Sequence, residues 1–232
     1  MSAIADNIKL VREKIASAAL LSGRAPEDIT LVAAAKQNPA ERVREAIAAG
    51  IDAVGENRVQ ELTEKLGDGA YEGAPLHFIG HLQTNKARFV VGTCALIESA
   101  DSVKLLREIS RLAVGRGLTQ DVLIEVNIGR EPGKSGVYPE NLAETLESAA
   151  SIQGIFVRGL MAVPPISTEN KGNRRFFDDM LQLYVDIQGK TYDNIEMRYL
   201  SMGMSDSFYD AILSGANMVR VGSAIFGARK YG

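Results

Sequence analysis

Lys36 follows the run Leu31-Val32-Ala33-Ala34-Ala35. A primary amine at the end of a small-residue strand can attack a carbonyl carbon. Two later segments have a complementary chemistry. Ser201-Met202-Gly203-Met204-Ser205 and Gly222-Ser223-Ala224 combine glycine, which lets backbone N–H groups approach an anion, with serine hydroxyls that donate to it. Each alone reads as a glycine turn with a serine N-cap. Together, after the last two strands of a barrel, they read equally as two such turns or as a phosphate site. An amine facing a phosphate site is the pair that pyridoxal 5′-phosphate (PLP) requires: an amine for a Schiff base with the aldehyde, and an anchor for the other end. Arg220 lies between Val219 and Val221, where an unpaired guanidinium is costly. Its partner is either a barrel carboxylate such as Glu125 or the pyridine nitrogen of such a cofactor. Asn57 either bonds the cofactor's phenolic oxygen or caps the following helix.

The elements that must position these residues are legible in the hydropathy pattern. Ile4, Ile8, Val11, Ile15 and Ala18 recur at steps of three and four, one face of an amphipathic helix that Ser22-Gly23 and Pro26 stop. Apolar runs follow at 31–35, 53–55, 77–80, 95–98, 122–127, 157–163, 198–201 and 218–222. Helical patterns lie between them, among others at 40–49, 85–91, 102–114 and 141–150. Runs this apolar suit strands covered on both faces. Eight strand–helix repeats after an extra N-terminal helix predict an α/β fold: a single (β/α)8 TIM-type barrel over residues 1–232, with an open doubly wound sheet as the alternative. The run ends carry Lys36, Glu56-Asn57, His81, Ser99, Asn127, Met161, the 201–205 loop, and Arg220 with Gly222-Ser223. In a barrel these share the functional rim.

Composition removes other classes. The 232 residues are 46% hydrophobic and 24% charged, with a formal net charge of -3, which advertises neither a nucleic acid nor an acidic membrane. The basic stretch 171–175 reads as a solvated loop and helix start. Cys94 is the only cysteine, so an intrachain disulfide is impossible. Charges at Asp6, Lys9, Arg12, Glu13 and Lys14 break any signal-peptide core, no window suits a membrane span, and the expected location is cytoplasmic. Gly133-Lys134-Ser135 lacks the first glycine of a P-loop, since position 128 is Ile128. His77 and His81 lack the glutamate of a zinc-protease helix, no metal site is expected, and no Gly-x-Ser-x-Gly elbow occurs. Met161, Met202 and Met204 read as packing.

The stretches Val32-Ala33-Ala34-Ala35-Lys36, Gly55-Glu56-Asn57-Arg58-Val59-Gln60-Glu61 and His77-Phe78-Ile79-Gly80-His81-Leu82-Gln83-Thr84-Asn85-Lys86 resemble the pyridoxal phosphate homeostasis proteins. So do Lys134-Ser135-Gly136, Arg158-Gly159-Leu160-Met161, Leu200-Ser201-Met202-Gly203-Met204-Ser205 and the segment from Val219 to Gly227. They run in family order along almost the whole chain. The resemblance implies a fold-type III barrel like the alanine racemase N-terminal domain. It implies Lys36 as the Schiff-base lysine, Arg220 at the pyridine nitrogen, and Ser201, Gly222 and Ser223 at the phosphate. Ala35, Gln37 and Ser207 depart from the residues common there. The implied function is intracellular vitamin B6 homeostasis without catalytic turnover. The chain ends at Gly232, so the second domain that gives racemases their other base is not expected. A PLP-dependent racemase or lyase, and a PLP-free sugar-phosphate enzyme, are the alternatives. Expected partners are PLP itself and apo forms of PLP enzymes or small amino acids; neither nucleic acid nor membrane is among them, and the chain is expected to be a monomer.

Overall fold

The computed structural model describes residues 2–165, 172–190 and 192–227. Eight strands, β1 (Thr30–Ala34), β2 (Ala53–Glu56), β3 (Leu76–Phe78), β4 (Leu96–Ala100), β5 (Gln120–Val126), β6 (Ile155–Ala162), β7 (Ile195–Ser201) and β8 (Met218–Val221), pair in chain order. All pairs are parallel, and β8 returns to β1 with Thr30 opposite Met218 and Val32 opposite Arg220. The sheet is therefore a closed barrel, and the open alternative is excluded. Every strand overlaps its expected run.

Helices α1 (Ala3–Leu21), α2 (Ala40–Ala48), α3 (Val59–Gly67), α4 (Val103–Gly115), α5 (Leu142–Ala150), α6 (Gly172–Gln188), α7 (Phe208–Leu213) and α8 (Ser223–Phe226) surround it. The helix expected at 85–91 is instead a 3-10 segment, Thr84–Phe89. It is short, and Val90, Val91 and Gly92 (φ +73) beyond it do not extend a helix. Lys171, the first residue of the basic stretch, lies outside the described residues. Arg174 and Arg175, on α6, face Asp178 and Asp179 one turn on, all exposed.

Helix α1 follows the expected spacing. Ile4, Ile8, Val11, Ile15, Ala18 and Ala19 are its buried residues, and the Ser2 hydroxyl caps its first turn at Ala5 N–H. Because α8 is a single turn, α1 packs across the space between α2, α7 and α8, and Asn7 Nδ2 donates to the Ile225 carbonyl at 2.9 Å.

Strand side chains alternate between two apolar layers. One layer lies between barrel and helices and includes Leu31, Ala33, Val54, Phe78, Ile97, Val122, Leu160 and Val219. The other, Val32, Ala34, Ala53, Ile79, Leu96, Leu123, Met161 and Met218, fills the barrel itself. Met161 is thus packing, as expected. Continuing the inward parity toward the strand ends brings in Lys36, Asn57, His81, Glu98, Glu125, Ser201 and Arg220.

Candidate functional site

Beneath the rim lies a charged layer. Arg220 is buried, and its guanidinium donates to Ser201 Oγ at 2.5 Å and to the Ala162 carbonyl at 2.8 Å. Its Nη1 is 3.8 Å from Glu98 Oε2. Ser201 Oγ donates to the same carboxylate oxygen at 2.6 Å, and Glu98 Oε1 meets His77 Nδ1 at 2.8 Å. The ion-pair partner of Arg220 is therefore Glu98, not the Glu125 named from sequence. Burial alone would raise the Glu98 carboxyl, but the bond and charge of His77, helped by Arg220 and Ser201, hold it below its usual range. Burial lowers the Arg220 guanidinium, against the pull of Glu98 and then Glu125.

Glu125 is also buried, and its Oε2 has no hydrogen-bond partner. Burial first, then Asp101, pushes its carboxyl up to about 7, with Arg220 opposing. At the rim, His81 Nδ1 lies 3.1 Å from Asp101 Oδ2 and 2.9 Å from Ser135 Oγ. Asn127 stays within its own loop, where its amide bonds the Glu131 and Lys134 carbonyls and the Glu131 N–H.

Lys36 sits half-buried just past β1. Asn57 sits just past β2, with Oδ1 buried and unbonded. Gly80 lets the chain pass close to its backbone: a Cβ there would lie 2.2 Å from the Asn57 carbonyl oxygen and 2.7 Å from its Cα. Glu56, one residue earlier, points the other way, outward to Lys65 and Tyr71 on the helix side. It does not belong to the rim, as its place at a strand end had suggested.

After β7 the chain turns through Gly203 at φ +92, where a Cβ would lie 2.6 Å from Ala211 Cβ. The turn puts the Ser205 hydroxyl against α8, where it accepts from Gly222 N–H at 3.1 Å and Ala224 N–H at 3.2 Å. Two backbone donors at a helix start thus converge on one oxygen, a geometry that an anion's oxygen can also use. Gly222 is half-buried and Ser223 exposed, with Ala34 under Gly222. Ser207, one of the departures, accepts Met204 N–H at 3.1 Å and closes the loop.

The structure thus brings Lys36, Asn57, Arg220, Gly222 and Ser223 to one end of the barrel. It turns the Ser201 hydroxyl inward to Glu98 and Arg220, away from the glycine loop. Sequence reasoning missed Glu98 and His77 in the charged layer, and Lys65, which pairs with Glu56 on the helix side. The signal was present: Glu98 interrupts an apolar strand, and Lys65 falls on the apolar face of α3 with Val59 and Leu62.

Comparison with known proteins adds a second line. The profile of the family described as "Alanine racemase, N-terminal domain" matches residues 1–230. The chain is similar to the pyridoxal phosphate homeostasis protein of Aquifex aeolicus, with 40% identity over 97% of this chain and 98% of that one. It is similar to the protein of the same description in Escherichia coli K12, with 39% identity over 100% of this chain and 99% of that one. Among solved structures it is similar to PipY of Synechococcus elongatus PCC7942 with PLP bound. There the TM-score is 0.83 and the identity 30%, over 97% of this chain and 100% of PipY.

Proposed function

From a chain that belongs to the alanine racemase N-terminal domain family, and within it to the pyridoxal phosphate homeostasis proteins, we infer a PLP-binding protein of intracellular vitamin B6 homeostasis. The observation that carries the reading is the placement, at one barrel end, of Lys36 just past β1 and of the two N–H groups of Gly222 and Ala224 converging on one oxygen.

The residues present fit the cofactor. Asn57 Oδ1 is a buried polar atom without a partner, and the small residues Ala34 and Gly222 lie against each other between Lys36 and the glycine loops. When bound, PLP supplies an aldehyde carbon open to amine attack and a ring that withdraws electrons from it. Lys36 would hold the aldehyde end and Asn57 the phenolic oxygen. The N–H groups of Gly222 and Ala224, with Ser223, would hold the phosphate. Ser205 Oγ now takes the two N–H groups that an anion would use, so its hydroxyl would turn to donate. Arg220, fixed by Ser201, Glu98 and the Ala162 carbonyl, would face the pyridine nitrogen. Ser201 serves that end of the cofactor, as a support of Arg220. A guanidinium there disfavours protonation of the nitrogen and weakens the ring as an electron sink, which suits holding PLP better than transforming amino acids.

Delivery of PLP to apo forms of PLP enzymes, or exchange with small amino acids, in the cytoplasm and by a monomer, completes the proposal. Among the described residues no helix is long and apolar enough to cross a membrane. The test is titration with PLP. One equivalent should bind with a visible absorbance band, and borohydride followed by peptide mapping should put the adduct on Lys36. Label on Lys86 or Lys134 instead would overturn the site, and no uptake would overturn the function.

A further inference from the structure

Both peptide groups that flank Lys36 are bonded by side chains from a single turn of α3. Lys65 Nζ donates to the Ala35 carbonyl at 2.8 Å, which belongs to the peptide before Lys36. Glu61 Oε2 accepts the Gln37 N–H at 2.6 Å, which belongs to the peptide after it. The two side chains lie four residues apart on the helix and 3.9 Å from each other. Lys65 is buried although charged, and its ammonium also meets Glu56 Oε1 at 2.6 Å, where Tyr71 OH donates as well at 3.2 Å.

Gln37 adopts φ +61, a left-handed conformation disfavoured for a residue with a side chain. Its N–H bond to a carboxylate holds it there. Asn38 Nδ2 donates to the Lys36 carbonyl at 3.1 Å, and Ala35 N–H donates to the Gly55 carbonyl at 2.9 Å. The backbone of Lys36 is thus bonded on both sides, which fixes the direction in which its Cα–Cβ bond leaves the strand.

We propose that Glu61 and Lys65 are positioning residues that aim the Lys36 amine into the barrel mouth, where it condenses with the aldehyde of PLP and water leaves with the aldehyde oxygen; the inference rests on the PLP reading above. They act on the aldehyde end alone. Their loss therefore weakens capture of PLP and of phosphate-free pyridoxal by the same factor, whereas a defect in the phosphate loops spares pyridoxal.

Glu61→Ala is the variant to test, because Lys65→Met strands the Glu56 carboxylate and can prevent folding. The expected result is roughly tenfold weaker capture of both aldehydes, the scale of one hydrogen bond to a charged group. Faster deuterium exchange of the Gln37 amide in the ligand-free protein should accompany it. Glu61→Gln, whose amide oxygen still accepts, should recover most of the affinity. Glu61→Ala with faster Gln37 exchange or a lower Tm but unchanged aldehyde affinity overturns the positioning role. A wild-type protein that forms no adduct on Lys36 overturns the PLP reading itself, and the proposal with it.

Discussion

Arg220 and Glu98, on β8 and β4, lie 3.8 Å apart inside the barrel, and the Ser201 hydroxyl bonds both, accepting from one and donating to the other. The serine therefore fixes where the guanidinium points. Ser201→Ala should weaken PLP by about 1–3 kcal/mol, the range for losing a bond to a charged group. Because it acts at the ring end, pyridoxal should lose as much. Spectrophotometric titration with both ligands checks this, and a loss confined to PLP would assign the hydroxyl to the phosphate instead.

The opposite pattern is expected at the glycine loops. Ser205→Ala and Ser223→Ala should each cost PLP about 1–3 kcal/mol and leave pyridoxal almost unchanged, since a phosphate oxygen loses a donor in each. Equal affinity of the wild type for PLP and pyridoxal would place the anion site elsewhere.

Glu125 gives the protein a pH-dependent stability with a definite sign. Its carboxyl is raised from 4.5 to about 7, so between those values the folded state keeps a proton that the unfolded state has released. Stability then falls as pH rises through that window, by about 3 kcal/mol in all at about 1.4 kcal/mol per pH unit. Glu56, also raised, chiefly by burial, has the same sign. Glu98, lowered, contributes stability that is lost only as pH falls below the ordinary carboxylate range. Urea unfolding of wild type and Glu125→Gln at pH 5 and pH 8 isolates the first effect. The variant should lose most of the wild-type decline, and parallel declines would assign it to other groups.

Incubation with L-alanine should give less than one equivalent of D-isomer or of α-deuterium exchange per protein. The reason is Arg220, held as a cation donor by Glu98 and Ser201 at the place proposed for the pyridine nitrogen. Many turnovers that vanish in Lys36→Ala would make the protein an enzyme.

Much of the candidate site was readable because strand ends of a barrel share one rim, so locating Lys36, Asn57, Arg220 and the two glycine–serine loops required only the repeat of apolar runs. Ser201 shows where that reasoning stops. Its place at the end of β7 is in the pattern, but the alternation of side chains along the strand turns its hydroxyl into the barrel, toward a carboxylate from β4. Glu56 and Asn57 are adjacent in sequence and face opposite sides of the sheet for the same reason.

By itself the sequence determined the repeat, the N-terminal helix, and the place of the lysine and of the two glycine–serine loops, because these depend on local periodicity and residue type. Tertiary structure alone decided the partners. Glu98 reaches Ser201 across a separation of 103 residues, and Lys65 reaches the carbonyl before Lys36 across 30. Such contacts depend on barrel closure and strand register. No local pattern encodes which of several buried carboxylates a guanidinium will find.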